Sequence, residues 1–182
     1  IKFLKICNSE IKKASLVVLS DYDKGTLTKR ILKTVIKYAR SSNIQVIIDP
    51  KKEDFSNYSG ADMITPNSKE FNLAGKEISK KNNNISKIGN EMCKKYNIKE
   101  ILLTRSEKGM ILLTSDNSKT YKATAKKVYD VTGAGDTVVA TMALMKSIGF
   151  SSDVSTYIAE AAAANVISKF GTARIKIKDL LN

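Results

Sequence analysis

Histidine and tryptophan are absent from the 182 residues, and cysteine and proline occur only twice each. Without histidine the chain builds no Ser-His-Asp or Cys-His nucleophile pair, and no HExxH zinc helix or Cys₂His₂ finger. Acid–base chemistry must rest on carboxylates, lysine, tyrosine or water. Cys7 and Cys93 lack CxxC spacing, which supports neither a zinc ribbon nor a disulfide framework. That usage suits a reducing, cytoplasmic setting. No apolar run approaches the ~20 residues needed to cross a bilayer, and no signal-peptide pattern opens the chain, so no membrane partner is expected.

What is present is ordinary for a globular domain: 42% hydrophobic and 27% charged residues, enough for one good-sized core. The net charge of +13 invites a nucleic-acid reading. Its distribution argues against one. The cations are 27 Lys and 4 Arg, set singly or in pairs along the whole chain, whereas base readout favours Arg and a binding face favours clusters. The opening Ile1-Lys2-Phe3, without Met, reads as a fragment or a processed N-terminus.

Leu16 to Ser20 is a short apolar run entering the turn Asp21-Tyr22-Asp23-Lys24-Gly25, as expected of a buried strand. Residues 28–40 place Ile31, Leu32, Val35, Ile36 and Ala39 at helical spacing with lysines between. Gln45 to Asp49 and Ala61 to Thr65 are further strands, stopped by Pro50 and Pro66. Asn67 to Ala74 predicts a short helix and Ser86 to Tyr96 a longer one; Ile101 to Thr104 and Met110 to Thr114 predict strands joined through Lys108-Gly109. Residues 136–148 and 153–169 are Ala-rich and helical. The alternation predicts an α/β fold with a largely parallel sheet, read as a single domain over 1–182. In such sheets ligands bind beyond the carboxyl ends of strands, where Asp21, Asp49, Thr65, Asn67 and Thr104 fall.

Two segments carry candidate chemistry. Asp130-Val131-Thr132-Gly133-Ala134-Gly135-Asp136-Thr137 runs into the apolar stretch from Val138. A glycine loop opening a helix offers free N–H donors and a positive dipole end, suited to phosphate. Asp136 in the first turn also has a plain structural reading, since a carboxylate there stabilises the helix by ~0.3–1 kcal/mol. Asn67-Ser68-Lys69-Glu70 has the spacing of a capping box. Its functional reading is a cleft in which Glu70 holds a water of a Mg²⁺ shell. Lys51, ending Asp49-Pro50-Lys51, is either a phosphate contact or a solvated surface lysine.

Together these residues resemble the ribokinase-like (PfkB) sugar kinases. Asp130 to Thr137 is similar to the family signature, Asn67-x-x-Glu70 to its metal–phosphate motif, and Leu102 to Met110 to its nucleotide loop. With Leu19-Ser20-Asp21-Tyr22 and Ile48-Asp49-Pro50-Lys51 in register, the resemblance is nearest to the branch acting on D-glycero-β-D-manno-heptose 7-phosphate, in ADP-heptose and lipopolysaccharide synthesis.

The resemblance implies ATP-dependent phosphorylation of that sugar's anomeric hydroxyl to the 1,7-bisphosphate. Asp136 would be the general base, and Gly133, Ala134 and Gly135 the anion hole. Asn67, Ser68, Lys69 and Glu70 would organise ATP and Mg²⁺, with Thr104, Arg105 and Gly109 along the nucleotide. Asp130 and Thr132 match positions that bind a monovalent cation such as K⁺ in some relatives.

Two departures stand out. Glu160 lies where relatives carry an Asn near adenine, with Asn165 one turn further on. The family's first strands, Gly-Gly sugar motif and β-lid, which often dimerises, have no counterpart here. The expectation is therefore the nucleotide-binding and catalytic part of a kinase, inactive by itself or part of a homodimer when longer. The lack of histidine leaves no HxGH-type adenylyltransferase half. Another sugar or nucleoside kinase of the family, a non-catalytic nucleotide-binding module and a basic nucleic-acid binder are the competing readings.

Overall fold

A computed structural model describes residues 2–125, 127–171 and 173–176; the ends of the expected 1–182 domain lie outside them. The described residues form two compact units. One runs up to Leu103 and includes Leu113–Ser118; the other comprises Thr104–Leu112 and the residues from Lys119 on.

The first unit begins with helix α1 (Lys2–Ile11), strand β1 (Leu16–Ser20), helix α2 (Lys29–Ser41) and strand β2 (Gln45–Asp49). A 3₁₀ turn at Phe55–Tyr58 precedes strand β3 (Met63–Ile64). Helices α3 (Ser68–Ala74), α4 (Lys76–Ser79) and α5 (Ile85–Tyr96) lead to strand β4 (Glu100–Thr104). A second 3₁₀ turn at Ser106–Lys108 precedes strands β5 (Met110–Leu113) and β6 (Ser118–Tyr121); helices α6 (Ala134–Ser147) and α7 (Ser152–Ile167) close the order. The six strands form one sheet in sequence order. The pairings β1–β2, β2–β3 and β3–β4 are parallel, with Ser20 opposite Asp49 and Ile48 opposite Ile64.

The central strands are apolar without alternation because both their faces are covered. Val46, Ile47 and Ile48 of β2, Met63 and Ile64 of β3, and Ile101, Leu102 and Leu103 of β4 are all buried. Helix α2 supplies part of the cover through Leu32, Val35, Ile36 and Ala39, leaving Lys33, Lys37 and Arg40 in solvent. Thr28 caps its start by accepting from the Ile31 amide at 3.3 Å. Helix α1 lies against α2 but buries little besides Ile11. In the second unit α6 and α7 pack on each other, and Val138, Val139, Met142, Ala159, Ala162 and Val166 on them are buried.

The expected strands and helices recur with shifted ends. The third strand shrinks from the expected 61–65 to two residues, since Gly60 holds φ at +88° and the Ala61 amide bonds back to Tyr58 O at 3.0 Å. Sheet-like bonding still reaches past it, from the Asp62 amide to Val46 O at 3.1 Å and from the Thr65 amide to Ile48 O at 3.0 Å. Among the described residues no helix is long and apolar enough to cross a membrane.

Candidate active site

In the first unit the carboxyl ends of β1, β2 and β3 gather the polar residues. Asn67 is the N-cap of α3: its Oδ1 accepts from the Glu70 amide at 3.0 Å, and Glu70 Oε2 accepts from the Asn67 amide at 2.9 Å. The capping box is real, and it consumes only one Glu70 oxygen. The other, Oε1, accepts from Lys51 Nζ at 3.1 Å. Glu70 is buried at 8% exposure while the Lys51 side chain is 55% exposed. The Glu70 hydrogen bond and charge raise the Lys51 pKa above the ordinary lysine value. A buried carboxylate needs a positive partner, and Lys51 is that partner here. Ser68 and Lys69, the first residues of the helix, are exposed. Beside them Asp49 Oδ1 accepts from the Thr65 hydroxyl at 3.2 Å.

A second cluster was not foreseen as a unit. Asp21 is 3% exposed and accepts from the Tyr58 hydroxyl at 2.9 Å, the Lys52 ammonium at 3.1 Å and the Asp23 amide at 2.9 Å. Lys52 also reaches Asp23 at 2.7 Å. Burial pulls the Lys52 pKa down, but the bonds to Asp23 and Asp21 outweigh it and the net shift is upward. Burial is likewise the main reason that the Tyr58 phenol titrates well above its usual range.

In the second unit, Thr104 to Gly109 form a tight turn: the Arg105 amide bonds Gly109 O at 2.8 Å, and Arg105 Nη2 bonds Lys108 O at 3.1 Å. Arg105 Nε is buried with no hydrogen-bond partner among the described residues. Gly109 sits at φ +73°, and a Cβ there would lie 2.0 Å from Tyr121 O. The glycine is therefore demanded by close backbone approach.

The start of α6, like that of the four-residue α4, has no side-chain cap. Helices α2, α3, α5 and α7 each begin with a side-chain cap from Thr28, Asn67, Asn84 or Ser151, whereas α6 has none. Gly133 precedes it at φ +80°, and a Cβ on Gly133 or Gly135 would meet nothing within 4 Å. The Ala134 amide bonds Val131 O at 3.2 Å, and the other N–H groups at the start of this 14-residue helix carry a partial positive charge. Asp136 stands exposed in that first turn.

Asp130 and Thr132 flank the same loop. Asp130 Oδ1 accepts from the Thr132 amide at 2.8 Å and Oδ2 from the Gly171 amide at 3.2 Å. The Thr132 hydrogen bonds hold its carboxyl below the usual range. The Tyr129 amide bonds Ile167 O at 2.8 Å, so the loop is tied to the end of α7. Glu160, the acidic residue at the expected Asn position, is 7% exposed; its oxygens accept from the Thr124 amide and the Thr124 hydroxyl, both at 2.8 Å. It pins the segment after β6 to α7.

The sequence singled out Asn67, Glu70, Lys51, Gly133 and Asp136 by motif. Tyr58 and Lys52 carried no local signal, because their partner Asp21 is remote in sequence. Among the described residues no three His, Cys, Asp or Glu side chains cluster to cage a metal ion.

Comparison with known proteins places these features in a family. The pfkB family carbohydrate kinase profile matches residues 3–179. The bifunctional protein HldE of Shewanella loihica is 37% identical over 98% of this chain and 37% of its own length. That of Actinobacillus succinogenes is 40% identical over 96% of this chain and 36% of its own length. The chain thus spans little more than a third of the curated relatives it matches. Among solved structures, Arabidopsis thaliana ribokinase complexed with ribose and ATP superposes with a TM-score of 0.81 at 23% identity, covering 96% of this chain and 57% of that one. Phosphofructokinase-2 from Escherichia coli in complex with potassium gives 0.79 at 18% identity, over 98% and 60%. These likenesses establish the ribokinase-like α/β fold. The chain belongs to the pfkB family of carbohydrate kinases.

Proposed function

We propose that this chain is the nucleotide-binding and catalytic part of a single ATP-dependent sugar kinase domain, acting on the anomeric hydroxyl of D-glycero-β-D-manno-heptose 7-phosphate. Identity near 40% to proteins named HldE supports the heptose branch over other sugar kinases. The observation that carries the phosphoryl-transfer reading is the start of α6: an uncapped helix end behind two unobstructed glycines, with an exposed carboxylate in its first turn.

In the mechanism, Asp136 accepts the proton of the anomeric hydroxyl as its oxygen bonds to the γ-phosphorus, while the bond to the ADP oxygen breaks. A carboxylate suffices as base because the transition state is loose and the nucleophile needs little deprotonation early. The N–H groups of Gly133, Gly135 and Asp136 receive the charge on the transferring group, while the Ala134 amide is bonded to Val131 O at 3.2 Å. The turn Thr104 to Gly109 lies along the nucleotide.

The residues fit Mg²⁺. This ion is held through waters and substrate phosphates with one or two carboxylates rather than in a protein cage. Glu70, whose Oε1 meets Lys51 and whose Oε2 meets the Asn67 amide, would hold a water of the Mg²⁺ shell, and the ion when bound would neutralise phosphate oxygens. Asp130 and Thr132 are the candidates for a K⁺ site, and a homodimer of the longer protein is part of the proposal.

A substrate panel on the complete gene product tests this reading: heptose 7-phosphate, ribose, fructose 6-phosphate and nucleosides, each with Mg²⁺ and ATP. Heptose 7-phosphate is expected to give the highest kcat/KM. Turnover of ribose or a nucleoside without turnover of heptose 7-phosphate overturns the substrate assignment.

A further inference from the structure

One fully buried hydroxyl has no part in the chemistry described so far. Tyr58 is 0% exposed, and its oxygen stands at the centre of three hydrogen bonds. It donates to Asp21 Oδ2 at 2.9 Å and accepts from the amides of Lys51 at 3.0 Å and Lys52 at 2.9 Å. A phenol has one proton and two acceptor sites in this geometry, so the set saturates it. Donation to a carboxylate also makes the oxygen a better acceptor for the two amides.

The arrangement closes on itself. Asp21, at the end of β1, binds the Tyr58 hydroxyl and the Lys52 ammonium, while Tyr58 binds the main chain of Lys52. The ring fixes the backbone just after β2, where Pro50 offers no amide of its own. From that backbone the Lys51 side chain extends to Glu70 Oε1 at 3.1 Å. A lysine stem is flexible, so the reach of its ammonium depends on where its main chain is held.

We propose that Tyr58 is a positioning residue: by holding the main chain of Lys51 and Lys52 it sets the Lys51 ammonium on Glu70 and so tunes the binding of the metal–nucleotide. The proposal rests on the kinase reading above, in which Glu70 faces the metal shell. Lys51 holds one oxygen of the buried Glu70 carboxylate and the Asn67 amide holds the other, which fixes how the carboxylate is turned. When the main chain at Lys51 is released, Glu70 loses its fixed partner.

The test is calorimetric titration of Mg²⁺ with a non-hydrolysable ATP analogue into the complete gene product, its Tyr58→Phe and Lys51→Met variants and the double variant. Tyr58→Phe keeps the ring, whose centroid is 5.9 Å from that of Phe55, and removes only the hydroxyl. It is expected to weaken binding ~5-fold or more, and Lys51→Met at least as much, with the double variant no weaker than Lys51→Met within about 2-fold. A merely structural tyrosine predicts either multiplied losses in the double variant or unaltered binding by folded Tyr58→Phe; both results overturn the proposal. If Tyr58→Phe does not fold, Asp21→Asn tests the same anchor from the other side: its amide oxygen still accepts from the phenol, so binding within ~2-fold of wild type is expected, and a loss as large as that of Lys51→Met overturns the proposal. Failure of the wild-type protein to bind the metal–nucleotide overturns the kinase reading itself, whereas wild-type binding with multiplicative variants overturns the role of Tyr58 alone.

Discussion

Two glycines with similar φ should fail in opposite ways when given a methyl group. Gly109 holds φ +73° and ψ −140°, and a Cβ there would lie 2.0 Å from Tyr121 O and 2.6 Å from Ala123 N. Neither neighbour can swing away, because both are backbone. The disfavoured backbone costs ~1–3 kcal/mol, and the forced displacement a further ~1–3 kcal/mol. Gly109→Ala should therefore lose about 2–6 kcal/mol, and each kcal/mol lowers Tm by ~2–4 °C in a chain of this size. Gly133 holds φ +80° and ψ 1°, and its Cβ would meet open space. Gly133→Ala should cost only the left-handed penalty of ~1–2 kcal/mol. Its larger effect should fall on phosphoryl transfer, where a methyl group would stand beside the anion site. Urea denaturation and steady-state kinetics of both variants separate the two outcomes. A Gly109→Ala protein with wild-type stability in urea refutes the packing argument. A Gly133→Ala protein with wild-type kcat refutes the assignment of open space to a ligand.

Other expectations follow from single contacts. Glu160→Ala leaves the Thr124 amide and hydroxyl without their 2.8 Å partners and should cost ~1–3 kcal/mol or more in urea denaturation. Glu160→Gln, which retains an acceptor, should cost less, and equal losses would contradict the clamp. Burial pushes the Cys93 thiol up to about 12, so native Cys93 should resist a thiol reagent at pH 8 while the half-exposed Cys7 reacts. The sign for stability follows: above the unfolded thiol value of ~8.5 the unfolded chain sheds a proton the folded one keeps. Cys93 therefore lowers stability progressively as pH rises from there towards 12. A Cys93→Ala variant should flatten that alkaline decline.

Much of the fold was legible because the central strands are buried on both faces. Runs such as Val46-Ile47-Ile48 and Ile101-Leu102-Leu103 need no partner to be recognised. Helix α2 announced itself by its apolar stripe. Helix α1 went unread because Ile11 is its one buried residue, and β6 because its Ser-Lys-Thr-Tyr pattern buries Tyr121 alone. Motifs singled out Asn67, Glu70, Gly133 and Asp136, whose capping box and glycine-led helix start are local backbone features that spacing encodes. The Lys51–Glu70 pair and the Asp21–Tyr58–Lys52 ring were not legible, because parallel strands bring together residues remote in sequence. Glu160 looked like a defect of an adenine contact, and only the fold shows its carboxylate spent on Thr124.

The central claim is that the carboxylate at the start of α6 takes the proton of a sugar hydroxyl. The most direct test is Asp136→Asn in the complete gene product, with phosphoryl transfer from ATP to heptose 7-phosphate and nucleotide affinity measured side by side. The account predicts a kcat lower by ~10²-fold or more with nucleotide affinity retained. An unchanged kcat would contradict it.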